Sequence, residues 1–225
     1  MNLVWITVMG VVGAMVFSSC SMKAESGGGL ISYQAYDRPA KLPKNPSAVQ
    51  VKVSLSKQRA YVMEDGKMLM VMPVSVGLPD SPTPIGTFKI FKKENKHRAA
   101  SHGFAYKGDQ IRKCGLENIT SGWSFKGTPM PYWCEFKPNI GFHTGWVKHS
   151  PCTNDGTIRM HKNLAPKFFQ MVSVGTPVNI SYSQPEDARW SNIPLNPDAG
   201  PLPDYPYSTY LSESYFTQHK TPEFD

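Results

Sequence analysis

The chain has 225 residues, 40% of them hydrophobic, with 24 Lys and Arg against 17 Asp and Glu for a formal net charge of +7. That length supports one domain of ordinary size with tails. Charged residues at 18%, together with 18 Gly and 20 Pro, exclude a helical bundle and favour a loop-rich β domain. The basic balance suits an anionic polymer or surface, but no nucleic-acid-binding module is present, and the densest basic run, KIFKKENKHR at 89–98, reads as a solvated strand edge.

The N-terminus sets the expected compartment. Residues 2–17, NLVWITVMGVVGAMVF, are apolar and uncharged, and SSC follows. The stretch is shorter than the roughly 20 residues of a membrane span and fits the core of a signal peptide. VFSSC resembles a bacterial lipobox, in which cleavage after residue 19 leaves Cys20 lipidated, although no Lys or Arg precedes the apolar stretch and Phe17 stands where Leu is most usual. An ordinary signal peptide and an uncleaved anchor are the alternatives, and each places the domain outside the cytoplasm, in the cell envelope facing periplasm or cell wall. With Cys20 set aside, Cys114, Cys134 and Cys152 remain, and an oxidising compartment is expected to pair two of them and leave one free.

Residues 20–47, with a Gly triplet and several Pro, read as a lipidated tether. The domain follows over 48–184. VQVKVSLSK alternates apolar Val49, Val51, Val53 and Leu55 with polar residues, which is strand period. QRAYVM is a second strand, EDGK a turn around Gly66, and MLMVMPVSVG the returning strand. TPIGTFKIFKK bends at Pro84 and Gly86 and continues as a strand through Phe88 and Ile90. Residues 93–128 have weak periodicity and read as a long insertion over one face. MPYWCEF and IGFHTG are strands, the second with His143 near its end. NLAPKFFQMVSVG sets Leu164, Phe168, Met171 and Val172 on one helical stripe, with Pro166 in the first turn and Gly175 at the stop. TPVNISY is the final strand. From 185 to 225 the chain is rich in Pro, Ser and Tyr without periodicity, and reads as a tail that is partly disordered or wrapped on the surface.

SKQRAYV, PVSVG, TPIGTFKI, MPYW, GFHTG, DGTIRM and VGTPVNI occur in the order of the L,D-transpeptidase (YkuD-type) catalytic domain, and nearly the whole of 48–184 resembles that family. The resemblance implies a mainly β fold, a β-sandwich with one short helix. It implies acyl transfer on peptidoglycan stem peptides: a thiolate attacks the bond after the third residue of a donor stem, a D-amino acid leaves, and an acceptor amine takes the acyl group. No metal or cofactor is expected. The family's active loop runs Ser-His-Gly-Cys, then Ile or Val, then Arg. Aligned on GTIRM, Asn154 takes the Ser position, Asp155 the His and Thr157 the Cys, while Gly156 and Arg159 match. The upstream His of the family corresponds to His143.

The base and the scaffold are therefore expected, and the nucleophile is open. His143 is expected to take the nucleophile's proton and return it to the leaving amine. Thr157 is a poor nucleophile, since an alcohol needs a stronger base than a thiol does; it either attacks or fills a site that no longer reacts. Cys152, five residues earlier, is the alternative: a migrated thiol brought near by the Asn154-Asp155-Gly156 turn. Gly156 permits the tight turn. Arg159, always protonated, either braces the loop through a salt bridge or holds a substrate carboxylate. Tyr132 and Trp146, with Asn154, are the candidate substrate contacts, and Trp133 is a further aromatic of the same groove. Two functions remain: an enzyme of cell-wall remodelling, and an inactive relative that binds wall peptides or serves as an envelope scaffold.

Overall fold

The structure is a computed structural model and describes residues 40–148, 150–190 and 205–217. Cys20, the expected leader and most of the expected tether lie outside the described residues.

The described residues form one mainly β sheet system. Its strands are β1 (Val49–Ser54), β2 (Arg59–Glu64), β3 (Lys67–Ser75), β4 (Gly86–Lys89), β5 (Lys92–Lys107), β6 (Gln110–Gly115), β7 (Ser124–Lys137), β8 (Ile140–Thr144), β9 (Ile158–Met160) and β10 (Pro177–Ser181). They run in the order β4-β10-β1-β2-β3-β9-β8-β7-β5-β6. β3 belongs to two ladders: it pairs antiparallel with β2 on one side and, through Val74 and Ser75, with β9 on the other. The halves on either side of β3 share a single core, with Val51, Val62 and Met70 from one, Phe142, Ile158 and Met160 from the other, and Leu164, Phe168 and Met171 of the helical stripe between them. The predicted helix is α1 (Ala165–Met171); Leu164, Phe168, Met171 and Val172 are all buried, as the 3.6-residue stripe requires.

Residues 93–128 are not an insertion loop. They form β5, β6 and the start of β7, an antiparallel extension in which β5 pairs with β6 and with β7. The alternation is weak there because most of β5 is exposed or half-buried, with a buried run only at Phe104 and Ala105 and the adjoining Gly103 against β7. A strand wetted on both faces carries no apolar period. The expected cysteine pair is also absent: Cys114, Cys134 and Cys152 are free thiols. Cys134 lies in the core, where burial pushes its thiol up to about 12, and the Cys114 thiol donates to the Gly115 carbonyl at 3.0 Å.

Beyond residue 184, α2 (Glu186–Arg189) docks on β1 and β2. Lys52 Nζ meets Glu186 Oε1 at 2.6 Å, and Arg59 Nη1 donates to the Trp190 carbonyl at 2.9 Å. Asp187 accepts from the Tyr61 hydroxyl and the Ser54 hydroxyl, both at 2.8 Å, and from the Gln184 N–H at 2.9 Å. A further helix, α3 (Tyr207–Leu211), and the 3-10 turn Glu213–Thr217 lie against β5–β7. Tyr61 and Ser54 are fully buried, so Asp187→Ala removes the nearest acceptor of two buried hydroxyls, leaving Ser54 a 3.5 Å contact to the Tyr182 carbonyl, and is expected to cost about 1–3 kcal/mol in urea denaturation. A loss below about 0.5 kcal/mol would show that the Asp187 bonds do not hold α2 on the sheet.

Candidate active site

β8 and β9 run parallel, with Phe142 opposite Ile158, His143 opposite Arg159 and Thr144 opposite Met160. Side chains alternate along a strand. Phe142 and Ile158 therefore enter the core together, and His143 and Arg159 emerge together on the other face, where both line a cleft of about 880 Å³. A parallel pair needs a crossover between its strands. Residues 145–157 supply it, and the crossover delivers Thr157 to the foot of β9 beside His143.

The crossover is pinned from below. The N–H groups of Cys152 and Thr153 both donate to the Val76 carbonyl, at 3.0 and 3.1 Å, and Leu78 N–H donates to the Thr153 carbonyl at 3.0 Å. The Thr153 hydroxyl donates to the Thr157 carbonyl at 2.5 Å. The bend itself is left-handed at both Asp155 (φ 59°) and Gly156 (φ 72°). A Cβ at Gly156 would lie 2.7 Å from the Pro82 carbonyl oxygen, so the position needs glycine for its space as well as its φ.

The His143 ring sits between two oxygens. Nδ1 lies 2.8 Å from the Thr144 carbonyl, and Nε2 lies 3.3 Å from Thr157 Oγ1. A carbonyl only accepts, so Nδ1 carries the proton and Nε2 presents a lone pair to the hydroxyl. Burial, and then the adjacent Arg159 guanidinium, push His143 down to about 3, so the ring is neutral near pH 7. The Thr157 hydroxyl has a second acceptor in the Asn154 carbonyl at 3.2 Å, and the Thr157 N–H turns to the same carbonyl at 3.4 Å. One proton is thus shared between two acceptors.

The other expected site residues separate. Trp146 and Asn154 line the cleft, and Lys148 Nζ lies 3.8 Å from the centre of the Trp146 ring. Tyr132 does not line it: its ring packs edge-on against Phe169 of α1, 5.5 Å away, so the aromatic of this strand that faces the cleft is Trp133. The reason is again alternation, since neighbours on β7 face opposite ways. Cys152 does not line the cleft either; its Sγ is 3.7 Å from Arg159 Nη1. Arg159 forms no salt bridge among the described residues; its aliphatic part lies against Gly145, where a Cβ would come within 2.7 Å of Cδ.

Several lining residues escaped the sequence reading. His97 stacks on Trp133 (4.4 Å, 11°) with Nδ1 2.5 Å from Glu94 Oε2, and Trp133 in turn lies 6.2 Å from His143. His102, Lys113, Tyr210 and Tyr215 complete that wall. They come from segments without periodicity, and no local pattern places them near residue 143.

The sequence profile of the L,D-transpeptidase catalytic domain (YkuD) family matches residues 48–180. Among solved structures, the chain is similar to an L,D-transpeptidase from Stackebrandtia nassauensis, at 23% identity and a TM-score of 0.46, covering 65% of this chain and 60% of that one. It is similar to Mycobacterium tuberculosis L,D-transpeptidase 1, at 23% identity and a TM-score of 0.43, covering 59% and 61%. It is similar to the catalytic domain of an L,D-transpeptidase from E. faecium, at 22% identity and a TM-score of 0.43, covering 59% and 96%. The chain thus spans about three fifths of the length of the first two. No curated protein matches the chain.

Two buried imidazoles give the site a pH signature. His143 and His161 are both held down to about 3, each chiefly by burial. Unfolded, each takes up its proton near pH 6.5. Between those limits the unfolded chain binds protons that the folded chain refuses, so stability falls as pH drops from about 6.5 towards 3, by at most about 1.4 kcal/mol per pH unit for each ring. Urea titrations from pH 7 to 4 are expected to show this slope, and His143→Gln to flatten it by about half.

Proposed function

We propose, from the premise that this chain belongs to the L,D-transpeptidase catalytic domain family, that its cleft takes peptidoglycan stem peptides and that Thr157 is the acyl-accepting side chain. The observation behind this reading is the 3.3 Å approach of His143 Nε2 to Thr157 Oγ1 at the mouth of the crossover. Thr157 occupies the position of the family's catalytic Cys. The expected lipid on Cys20 would hold the domain on a membrane in the cell envelope.

The chemistry follows from the geometry. Thr157 Oγ1 attacks the carbonyl carbon of the donor peptide bond, and its proton passes to His143 Nε2. As the C–N bond breaks, His143 returns that proton to the departing amine of the D-amino acid, leaving an ester on Thr157. An acceptor amine then attacks the ester carbon, its proton goes to His143, and the C–O bond breaks with the proton restored to Thr157. Nδ1, bound to the Thr144 carbonyl, keeps the ring oriented through both halves. Arg159, without a carboxylate of its own, is placed to hold a substrate carboxylate.

A specific observation supports a slower or purely binding variant of the same function. An imidazole held near 3 is a weak base for an alcohol, and the Thr157 N–H is committed to Asn154 rather than free for an oxyanion. A thiol in the same place would ionise far more readily.

Mass spectrometry of the chain incubated with a disaccharide-tetrapeptide or a carbapenem separates these cases. Acyl transfer through Thr157 predicts an adduct that Thr157→Ala abolishes, that Cys152→Ala leaves intact, and that Thr157→Cys forms at least about 100-fold faster. An adduct in Thr157→Cys alone would make the protein a stem-peptide binder with a silent site. No adduct in any variant would end the acyl-transfer reading.

A further inference from the structure

Resting on the reading that the cleft takes peptidoglycan, we propose that residues 205–217, which lie beyond the stretch matched by the family, form the far end of the cleft and bind the glycan to which the stem peptide is attached.

The segment is anchored firmly. Arg98 Nη1 donates to the carbonyls of Tyr210 (2.8 Å) and Gly127 (3.0 Å), and Nη2 to the Ser212 carbonyl and Glu213 Oε1, both at 3.2 Å. Lys126 Nζ donates to the Leu211 carbonyl at 2.7 Å and meets Glu213 Oε1 at 3.2 Å. The Phe104 ring of β5 stacks on Tyr210 at 5.3 Å and 18°, and the Arg98 guanidinium lies 5.0 Å from the centre of the Phe216 ring. Two basic side chains of the sheet thus cap the carbonyls at the end of α3 and fix its rings.

What this end of the cleft offers is two donors, one from the segment and one from β6 beside it. Tyr215 is 8% exposed, lines the cleft and has a hydroxyl that makes no hydrogen bond among the described residues. A buried ring normally finds a partner for its phenol. Lys113 lines the same end without an ion pair among the described residues. The segment's carboxylate, Glu213, is already held by Arg98 and Lys126, and the only carboxylate among the lining residues is Asp155, at the reacting end. Neutral and cationic donors with no free carboxylate suit the acetamido carbonyls and ring oxygens of amino sugars.

Lys113, Tyr210 and Tyr215 line the same cleft as His143 and Thr157 but lie displaced along the sheet: Cys134 pairs with Phe142 beside His143, whereas Lys113 pairs with Phe104, which faces Lys126 nearer the start of β7. The scissile bond follows the third residue of the stem, and three extended residues span about 10 Å. A stem reacting at Thr157 and laid along β7 towards its start points its sugar-linked end at α3 and the turn after it.

Calorimetric titration of the full chain with a disaccharide-tetrapeptide and with the same tetrapeptide lacking its sugars tests this. The sugar-bearing ligand is expected to bind at least about tenfold more tightly. Tyr215→Phe, which removes one oxygen and leaves the ring in place, and Lys113→Ala are each expected to lower that advantage about fivefold while leaving the free tetrapeptide within about twofold of wild type. Equal affinity of the wild type for both ligands overturns the glycan subsite and leaves the peptidoglycan reading standing, as do variants that weaken both ligands alike or neither. Binding of neither ligand by the wild type removes the peptidoglycan reading and the subsite with it.

Discussion

The parallel pairing of β8 with β9 is the constraint on which the site depends. Its register sets His143 against Arg159 on one face and Phe142 against Ile158 on the other, so the core holds His143 and Arg159 in place by burying their neighbours. A one-residue slip would send the imidazole inward and the phenyl ring into the cleft. The crossover needs no rigidity of its own, because β3 and the residues after it take its backbone hydrogen bonds at Val76 and Leu78. The Gly156 bend then has one place to go, against Pro82.

The same burial that fixes the imidazole weakens it. Enclosed and next to a guanidinium, His143 stays neutral across the physiological range, which suits a lone-pair acceptor and disfavours the imidazolium that must form when a proton is taken. With a thiol as partner the deficit is modest, since the thiolate is readily formed. With Thr157 it is large. The His143–Thr157 contact thus has the spacing of a base and its hydroxyl, while the burial that holds it keeps the ring a weak base.

The strands β5–β7 and the segment at 205–217 extend the cleft well past His143 and Thr157. Their side chains are mixed and wet, and the sheet is held there by Arg98 and Lys126 reaching across to backbone carbonyls. This end owes its form to charge-assisted hydrogen bonds and aromatic contacts, whereas the reacting end owes its form to apolar packing.

Legibility in the sequence followed burial. Strands with one dry face, such as Val49–Ser54, and the helix with a dry stripe at Leu164, Phe168 and Met171 announced themselves through period, whereas the β-sandwich, the role of His143 and the bend before Ile158 were expected from the resemblance of GFHTG and DGTIRM to a family. β5 and β6 showed no period, because water on both faces erases the pattern. Nor did the local sequence say which of Thr157 and Cys152 meets the imidazole, that Tyr132 turns to Phe169 while Trp133 faces the cleft, or that Tyr210 and Tyr215 wall it. Hydrophobic period is a local property that sequence alone determined; the meeting of residues a dozen or a hundred positions apart is set by strand order and register, which only the packed sheet decided.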